Sequence, residues 1–387
     1  MSSSTSAVPL ILAKATPDER VKIWTEQQPC WGAQYTVETF IQREVQLLQC
    51  LLAKDDGVTA WILTDPSAPP DHRPILSSLE IFRKRALVRD DKHGTLRDAT
   101  AYGVASVFTF EQHRRKNYAS KMLSLVGEKL TEEGADFSIL YSDIGKTFYA
   151  RHHWVPFPSF HLAFPSADNF VNDAPCHHSP GLVKMADLVD IADSCESILR
   201  DKMGASRCKD ETQDAVQVAL LPDLATFVWH LVRQTFLCEQ VLGEAPDVHG
   251  AWYEPPRSDQ QNLQQQSHQR VLMLWSCTLS GGRTKPENNV MTVLHLAIED
   301  DAISDQELSK ALEFILGIMH TEARKWLCNR IEIWSPSERI QRLVSNMADI
   351  KASLVVREES NVASLRWFGD GPVSRVQWVN NEKFAWC

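Results

Sequence analysis

Apolar residues at Ala119, Met122, Leu123, Val126 and Leu130 recur three and four positions apart. That spacing lines one face of a helix and predicts a helix over 114–133. Upstream, Leu76 to Val88 and Tyr102 to Phe110 are apolar runs that read as long strands joined by a polar hairpin. Downstream, 137–143 reads as another strand, and 145–152 as a short helix carrying Phe148 and Tyr149. Nearer the start, Pro9 to Lys14 and Val58 to Leu63 read as short strands. Asp18 to Trp24 and Thr36 to Leu52 read as helices, the second opened by a Thr36 cap.

The second half repeats the order. Val271 to Leu279 and Val290 to Ile298 read as paired strands. Asp305 to Leu327 is a helix with Leu308, Leu312, Ile315, Met319 and Trp326 near one face, Arg330 to Trp334 a strand, and Pro336 opens another helix. The pattern predicts a mixed α/β fold in two units, 1–165 and 183–387, joined by a linker at 166–182. The segment 164–182 is rich in Pro, Asp, Asn and His. Pro255 to Gln269, with its glutamine run, reads as a surface loop.

Length and charge narrow the classes. The 387 residues suffice for two substantial cores, and 43% hydrophobic with 23% charged residues is a globular composition. A net charge of -10 argues against a general nucleic-acid binder. Nine cysteines without a CxxC pair suggest buried thiols in a reducing compartment. No stretch approaches the roughly 20 apolar residues of a membrane span, and no signal peptide is visible, so the expected location is the cytoplasm.

The charges around the two long helices differ. His113-Arg114-Arg115-Lys116 precedes the first, where a helix N-terminus adds unpaired N–H donors and partial positive charge, an arrangement that attracts a phosphate. At the same place in the second half stand Glu299, Asp300, Asp301 and Asp305, which repel one. The second unit is therefore expected to cap the acceptor side.

Two segments carry a family resemblance. In the first, Arg114, Asn117 and Ala119 meet the loop pattern Arg/Gln-x-x-Gly-x-Gly/Ala. In the second, Phe148, Tyr149 and Trp154 meet Phe-Tyr-x-x-x-Gly-Trp/Phe. Arg115, Asn117 and His153 stand where glycine is common. Both segments resemble the acyl-CoA core of the GNAT N-acetyltransferase superfamily. Tyr102-Gly-Val-Ala-Ser-Val-Phe-Thr, Leu140-Tyr-Ser-Asp-Ile-Gly and Asn381-Glu-Lys-Phe-Ala-Trp-Cys are further similar to fungal lysine acetyltransferases of lysine catabolism.

The resemblance implies a GNAT-type mixed sheet with flanking helices, followed by a second, degenerate GNAT-like lobe. It implies acetyl-CoA as co-substrate, held by Val107, Phe108 and Thr109 of the strand and by Arg114, Arg115, Lys116, Asn117, Tyr118 and Ala119 of the loop and helix start. It implies direct acetyl transfer to the N6 amine of free L-lysine, without metal, nucleic acid or membrane. Another amine, a polyamine or a protein amino group, is the alternative within the chemistry. A non-catalytic acyl-CoA sensor is the alternative outside it.

The chemistry sets requirements. A lysine amine has a pKa near 10.4, so deprotonating it at pH 7 costs about 4.6 kcal/mol and calls for a base. Glu80, Asp143 and the terminal carboxylate of Cys387 are the candidates. By position in its motif, Tyr149 is the candidate acid for the departing thiolate. The acetyl oxygen needs a donor, expected from a backbone N–H near Ser106, Val107 and Phe108. Arg83, Arg233 and Arg366 are candidates to hold a substrate carboxylate. His230 reads as a packed core histidine. The pairs His152-His153 and His177-His178 fit no familiar metal spacing.

Overall fold

The computed structural model describes residues 9–90, 94–166, 181–205, 215–255 and 270–386. The first half contains β1 (Ile11–Lys14), α1 (Pro17–Trp31), α2 (Val37–Leu47), β2 (Val58–Thr64), β3 (Ser77–Asp90), β4 (Thr95–Phe108), α3 (Tyr118–Glu132), β5 (Phe137–Ser142), α4 (Thr147–Ala150), β6 (Val155–Pro156) and β7 (Phe160–Pro165). Then come β8 (Gly181–Val183), α5 (Leu188–Ala205), β9 (Val216–Leu220), α6 (Leu224–Leu242), β10 (Gly250–Tyr253), β11 (Val271–Leu279) and β12 (Asn289–Ile298). The chain continues through α7 (Asp305–Lys325), β13 (Arg330–Trp334), α8 (Glu338–Ser345), β14 (Ser353–Val356), β15 (Val362–Trp367) and β16 (Val376–Trp378).

The described strands form two sheets. One runs β1-β2-β3-β4-β5-β15-β6, with β9 on the far half of β3 and β16 on β9. The other runs β14-β7-β13-β12-β11-β10-β8. Each contains one parallel pair bridged by a long helix: β4 and β5 through α3, β12 and β13 through α7. Each also carries a bulge before that crossover. Ser106 and Val107 on β4 oppose the single Leu79, and Leu294 on β12 is the extra residue opposite Leu274 and Trp275. The two halves are thus variations on one plan.

The partition at 166–182 does not coincide with the sheets. β7, from the first half, lies between β13 and β14 of the second sheet, while β15 lies between β5 and β6 of the first. The cores are shared too. Ile23, Phe40 and Phe108 pack in the same cluster as Trp275 and Leu312, and Phe137 and Leu365 join Leu272 and Leu274. The physical reason is edge completion: each short edge leaves unpaired backbone groups, and the exchanged strand satisfies them.

Local differences have local causes. The helix expected over 114–133 begins only at Tyr118, because Arg115 and Asn117 take left-handed conformations with φ of 61° and 63°. The helix expected over Thr36 to Leu52 ends at Leu47, although Thr36 does cap it, accepting a hydrogen bond from the Thr39 N–H. The expected linker and the Pro255–Gln269 loop fall largely, and His177-His178 entirely, outside the described residues.

Candidate active site

Strand β4 is the centre of the site. It pairs with β5 only as far as Gly103 and Ile139, although both strands continue, so the two diverge towards their C-terminal ends. On the opposite edge the bulge at Ser106 (φ 53°) interrupts the β3 ladder. Ser106 is held on both sides: its hydroxyl donates to Glu80 at 2.7 Å, and its carbonyl accepts from Gln27 at 3.3 Å. The Phe108 ring is buried, packed edge-on against Trp31 and Phe110. Thr109 is fixed by Ser77, whose hydroxyl lies 3.1 Å from that of Thr109.

Beyond β4 the chain turns through Arg114 to Asn117 into α3. All four residues are exposed, and Arg114 donates to the Thr109 carbonyl at 3.2 Å. The left-handed φ of Arg115 and Asn117, and of His153 at 73°, is what glycine provides in the family patterns. The three departures therefore keep the backbone path, at a cost of about 1–2 kcal/mol each. Helices α1, α2, α6, α7 and α8 open with a side-chain cap, whereas Asn117 makes no such bond, so the first N–H groups of α3 point unshielded beside Arg114, Arg115 and Lys116. Tyr118 and Ala119 form its first turn.

On the other side of the bulge lies a cavity of about 120 Å³. Glu80, Ser106, Tyr141 and Asp143 line it from the first sheet, Arg43 and Glu44 from α2, and Trp229 and Arg233 from α6, with Trp386 closing it. Burial, then the charge of Glu44, pushes the Glu80 carboxyl up to about 7. Asp143 ends β5 and accepts a hydrogen bond from the Asn361 N–H at 3.0 Å. Tyr149, on α4, stacks edge-on against Phe148 at 5.1 Å. Burial and the Asp143 charge raise its phenol well above the usual range, so it stays protonated.

Of the three candidate arginines, only Arg233 reaches the cavity. Arg83 donates to the Asp55 carbonyl at 3.2 Å, and Arg366 packs 5.1 Å from Trp154 beneath Gly127. Cys387 lies outside the described residues, but its neighbour Trp386 is a cavity wall. His230 is buried, with its Nε2 3.0 Å from the Phe384 carbonyl oxygen. Among the described residues no group of three His, Cys, Asp or Glu side chains is placed to hold a metal, and no helix is long and apolar enough to cross a membrane.

Arg43, Glu44, Trp229 and Trp386 were not among the sequence candidates. Their signal is a charge on an apolar stripe. Phe40, Arg43, Glu44 and Leu47 share one face of α2, and Trp229, Arg233 and Phe236 share one face of α6. Arg43 is 5% exposed and pairs with Glu44. Charges buried among aromatics call for a polar partner, here a cavity.

Residues 161–387 match the family model described as the LYC1 GNAT-like C-terminal domain. It begins within β7, the strand that crosses into the second sheet. A lysine acetyltransferase of Yarrowia lipolytica is 22% identical over 258 residues, 57% of this chain; the match spans 64% of that protein's length. An uncharacterized Saccharomyces cerevisiae protein is 20% identical over 95% of this chain and 96% of its own. In fold, a GCN5-related N-acetyltransferase from Anabaena variabilis superposes with a TM-score of 0.52 at 9% identity, covering 93% of this chain and 73% of that one. The chain belongs to the LYC1 GNAT-like family, within the GNAT acyltransferase superfamily.

Proposed function

We propose that this protein is an acetyl-CoA-dependent N-acetyltransferase that acetylates free L-lysine at N6, acting in lysine breakdown in the cytoplasm. The observation that carries the reading is Glu80, a carboxylate with its pKa raised to about 7, set in a small aromatic-walled cavity at the β4 bulge. The cavity suits a slender amine, and its walls Phe82, Trp229 and Trp386 suit a methylene chain.

The exposed turn 114–117 and the first N–H groups of α3 receive the CoA pyrophosphate. Val107, Phe108 and Thr109 offer backbone to the pantetheine arm, and a backbone N–H beside the bulge receives the acetyl oxygen as charge develops on it. The lysine amine enters from the acceptor cavity and attacks the acetyl carbon. Glu80 takes its proton, while Tyr149 donates a hydrogen bond to the departing sulfur. Arg233 holds the α-carboxylate and Glu44 the α-ammonium, leaving N6 facing Glu80. Asp143, at the mouth between the strands, adds negative charge that favours a cationic substrate and raises the Tyr149 phenol.

The test is thiol release from acetyl-CoA with L-lysine, spermidine and a lysine peptide supplied separately, and mass spectrometry to place the acetyl group. Turnover with L-lysine and an N6-acetyl product supports the reading. Turnover with spermidine or the peptide alone overturns the acceptor, and acetyl-CoA binding without turnover overturns the enzyme.

The turn supplies a separate prediction. Asn117→Gly keeps acetyl-CoA affinity, because glycine takes the same left-handed φ. Asn117→Val forces a β-branched residue there, costs about 1–2 kcal/mol of backbone energy and weakens acetyl-CoA binding by roughly tenfold. Isothermal titration of both variants with acetyl-CoA checks it.

A further inference from the structure

Two cations beside the cavity have no counter-ion among the described residues. Arg233 lies with its guanidinium carbon 4.8 Å from the centre of the Trp386 ring. Lys383 lies with its Nζ 3.9 Å from the same ring and 4.3 Å from that of Trp334. Among the described residues, neither makes an ion pair or a hydrogen bond, in a protein that pairs Arg43, Arg73 and Arg270 with carboxylates. Trp386 is itself a wall of the cavity. The segment bearing Lys383 is rigidly seated. Phe384 is fully buried against Phe227 and His295, Glu382 pairs with His295, and the Ala385 carbonyl accepts from Lys84 at 3.2 Å.

Unpaired cations beside one indole carry a desolvation cost that an anion relieves, as does loss of the Lys383 proton. Burial and the Arg233 charge push the Lys383 ammonium down to about 7, with Arg357 adding to the effect and Glu332 and Asp143 opposing it. Glu44 and Glu80 also line the cavity and act on Arg233 electrostatically, and among the described residues neither forms an ion pair with it. The cavity lining therefore carries both signs, Glu80 and Asp143 beside the Arg43–Glu44 pair and Arg233 at Trp386, a complement to an amino acid that carries both a carboxylate and an amine.

We infer that Lys383 and Arg233, stacked on Trp386, form a two-cation clamp for the α-carboxylate of the acceptor, and that Lys383 selects free amino acids over diamines and peptide-bound lysine. The inference rests on the acetyltransferase reading and extends it to a residue outside the catalytic chemistry. A peptide lysine or a diamine has no carboxylate at that distance from its reacting amine, so it leaves both cations unpaired.

The experiment compares L-lysine, L-ornithine, L-lysinamide and cadaverine as acceptors for the full chain and for Lys383→Met and Lys383→Arg. In the wild type, kcat/KM for L-lysine exceeds that for L-lysinamide by roughly 10- to 100-fold, the range for a charge-assisted hydrogen bond. Lys383→Met raises the KM for L-lysine by a similar factor, leaves kcat and the lysinamide kinetics nearly unchanged, and so erases the preference. Lys383→Arg keeps it, which separates lost charge from lost folding. A preference that survives Lys383→Met, or an equal loss for both acceptors, overturns the clamp while the lysine reading stands. Turnover with ornithine but not lysine, with its KM raised in Lys383→Met and restored in Lys383→Arg, supports the clamp and overturns lysine as the acceptor. Turnover with cadaverine alone, or with no amine, overturns both.

Discussion

Glu80→Gln lowers kcat/KM for the acceptor amine by about 100- to 10,000-fold, the usual contribution of a positioned general base, and leaves acetyl-CoA affinity nearly unchanged. The amide keeps the shape and the hydrogen bond to the Ser106 hydroxyl, which lies 2.7 Å from the carboxylate, so the loss reports proton acceptance rather than collapse of the bulge. The pH dependence follows from the sign of the shift. The carboxyl is pushed up to about 7 by burial and by Glu44, so below that pH it is mostly protonated and cannot accept a proton. In the wild type kcat at saturating acceptor therefore rises with pH through about 7, and in Glu80→Gln that rise is gone; KM is read separately, because Lys383 loses its proton near the same pH. Glu44→Gln removes a neighbouring negative charge and moves the rise to lower pH. Steady-state kinetics between pH 5.5 and 9 read all three outcomes, in roughly the range where such a carboxyl titrates. Full activity in Glu80→Gln would assign the base to Asp143 or to the Cys387 carboxylate instead.

Much of this site was legible in the sequence because it is built from local signals. The stripe Met122, Leu123, Val126 and Leu130 is fully buried, as its spacing requires. The strand bearing Glu80 pairs with the strand bearing Ser106, as two long apolar runs joined by a hairpin should. The glycine-like turn was legible only in part. The pattern located it, but a helix start at Arg114 ignored that Arg115 and Asn117 had to take the left-handed φ that glycine usually supplies.

What the sequence did not reveal is non-local. β7, β9, β15 and β16 are three to six residues long, and a short apolar run reads the same whichever sheet it completes. Their exchange between the sheets brings Asn361, and through the following chain Trp386, to a site built mainly from the first half. Arg43 and Glu44 were hidden for a related reason. A charge on an apolar helix face marks a cavity only once the opposing helix is known.

Tyr149→Phe lowers kcat by about 100- to 1,000-fold, the range for removing one donor aimed at developing charge. Burial and the Asp143 charge hold the Tyr149 phenol well above its ordinary value, whereas an alkyl thiol ionises near 8.5. Full proton transfer from this phenol to a thiolate is therefore uphill, so in the proposed mechanism Tyr149 donates a hydrogen bond to the sulfur as the C–S bond breaks. Two consequences distinguish this role from packing. The variant shows no new alkaline limb, because the phenol it lost was not titrating in the working range. The defect also shrinks with an acetyl thioester whose thiol has a lower pKa, because a more stable thiolate depends less on a donor. Packing is a separate matter: Tyr149 touches Phe148 through its ring, which phenylalanine retains, so the thermal midpoint moves little. Comparing acetyl-CoA with acetyl thiophenol as donors in wild type and Tyr149→Phe decides the point. An equal loss with both thioesters would show that Tyr149 does not serve the leaving group.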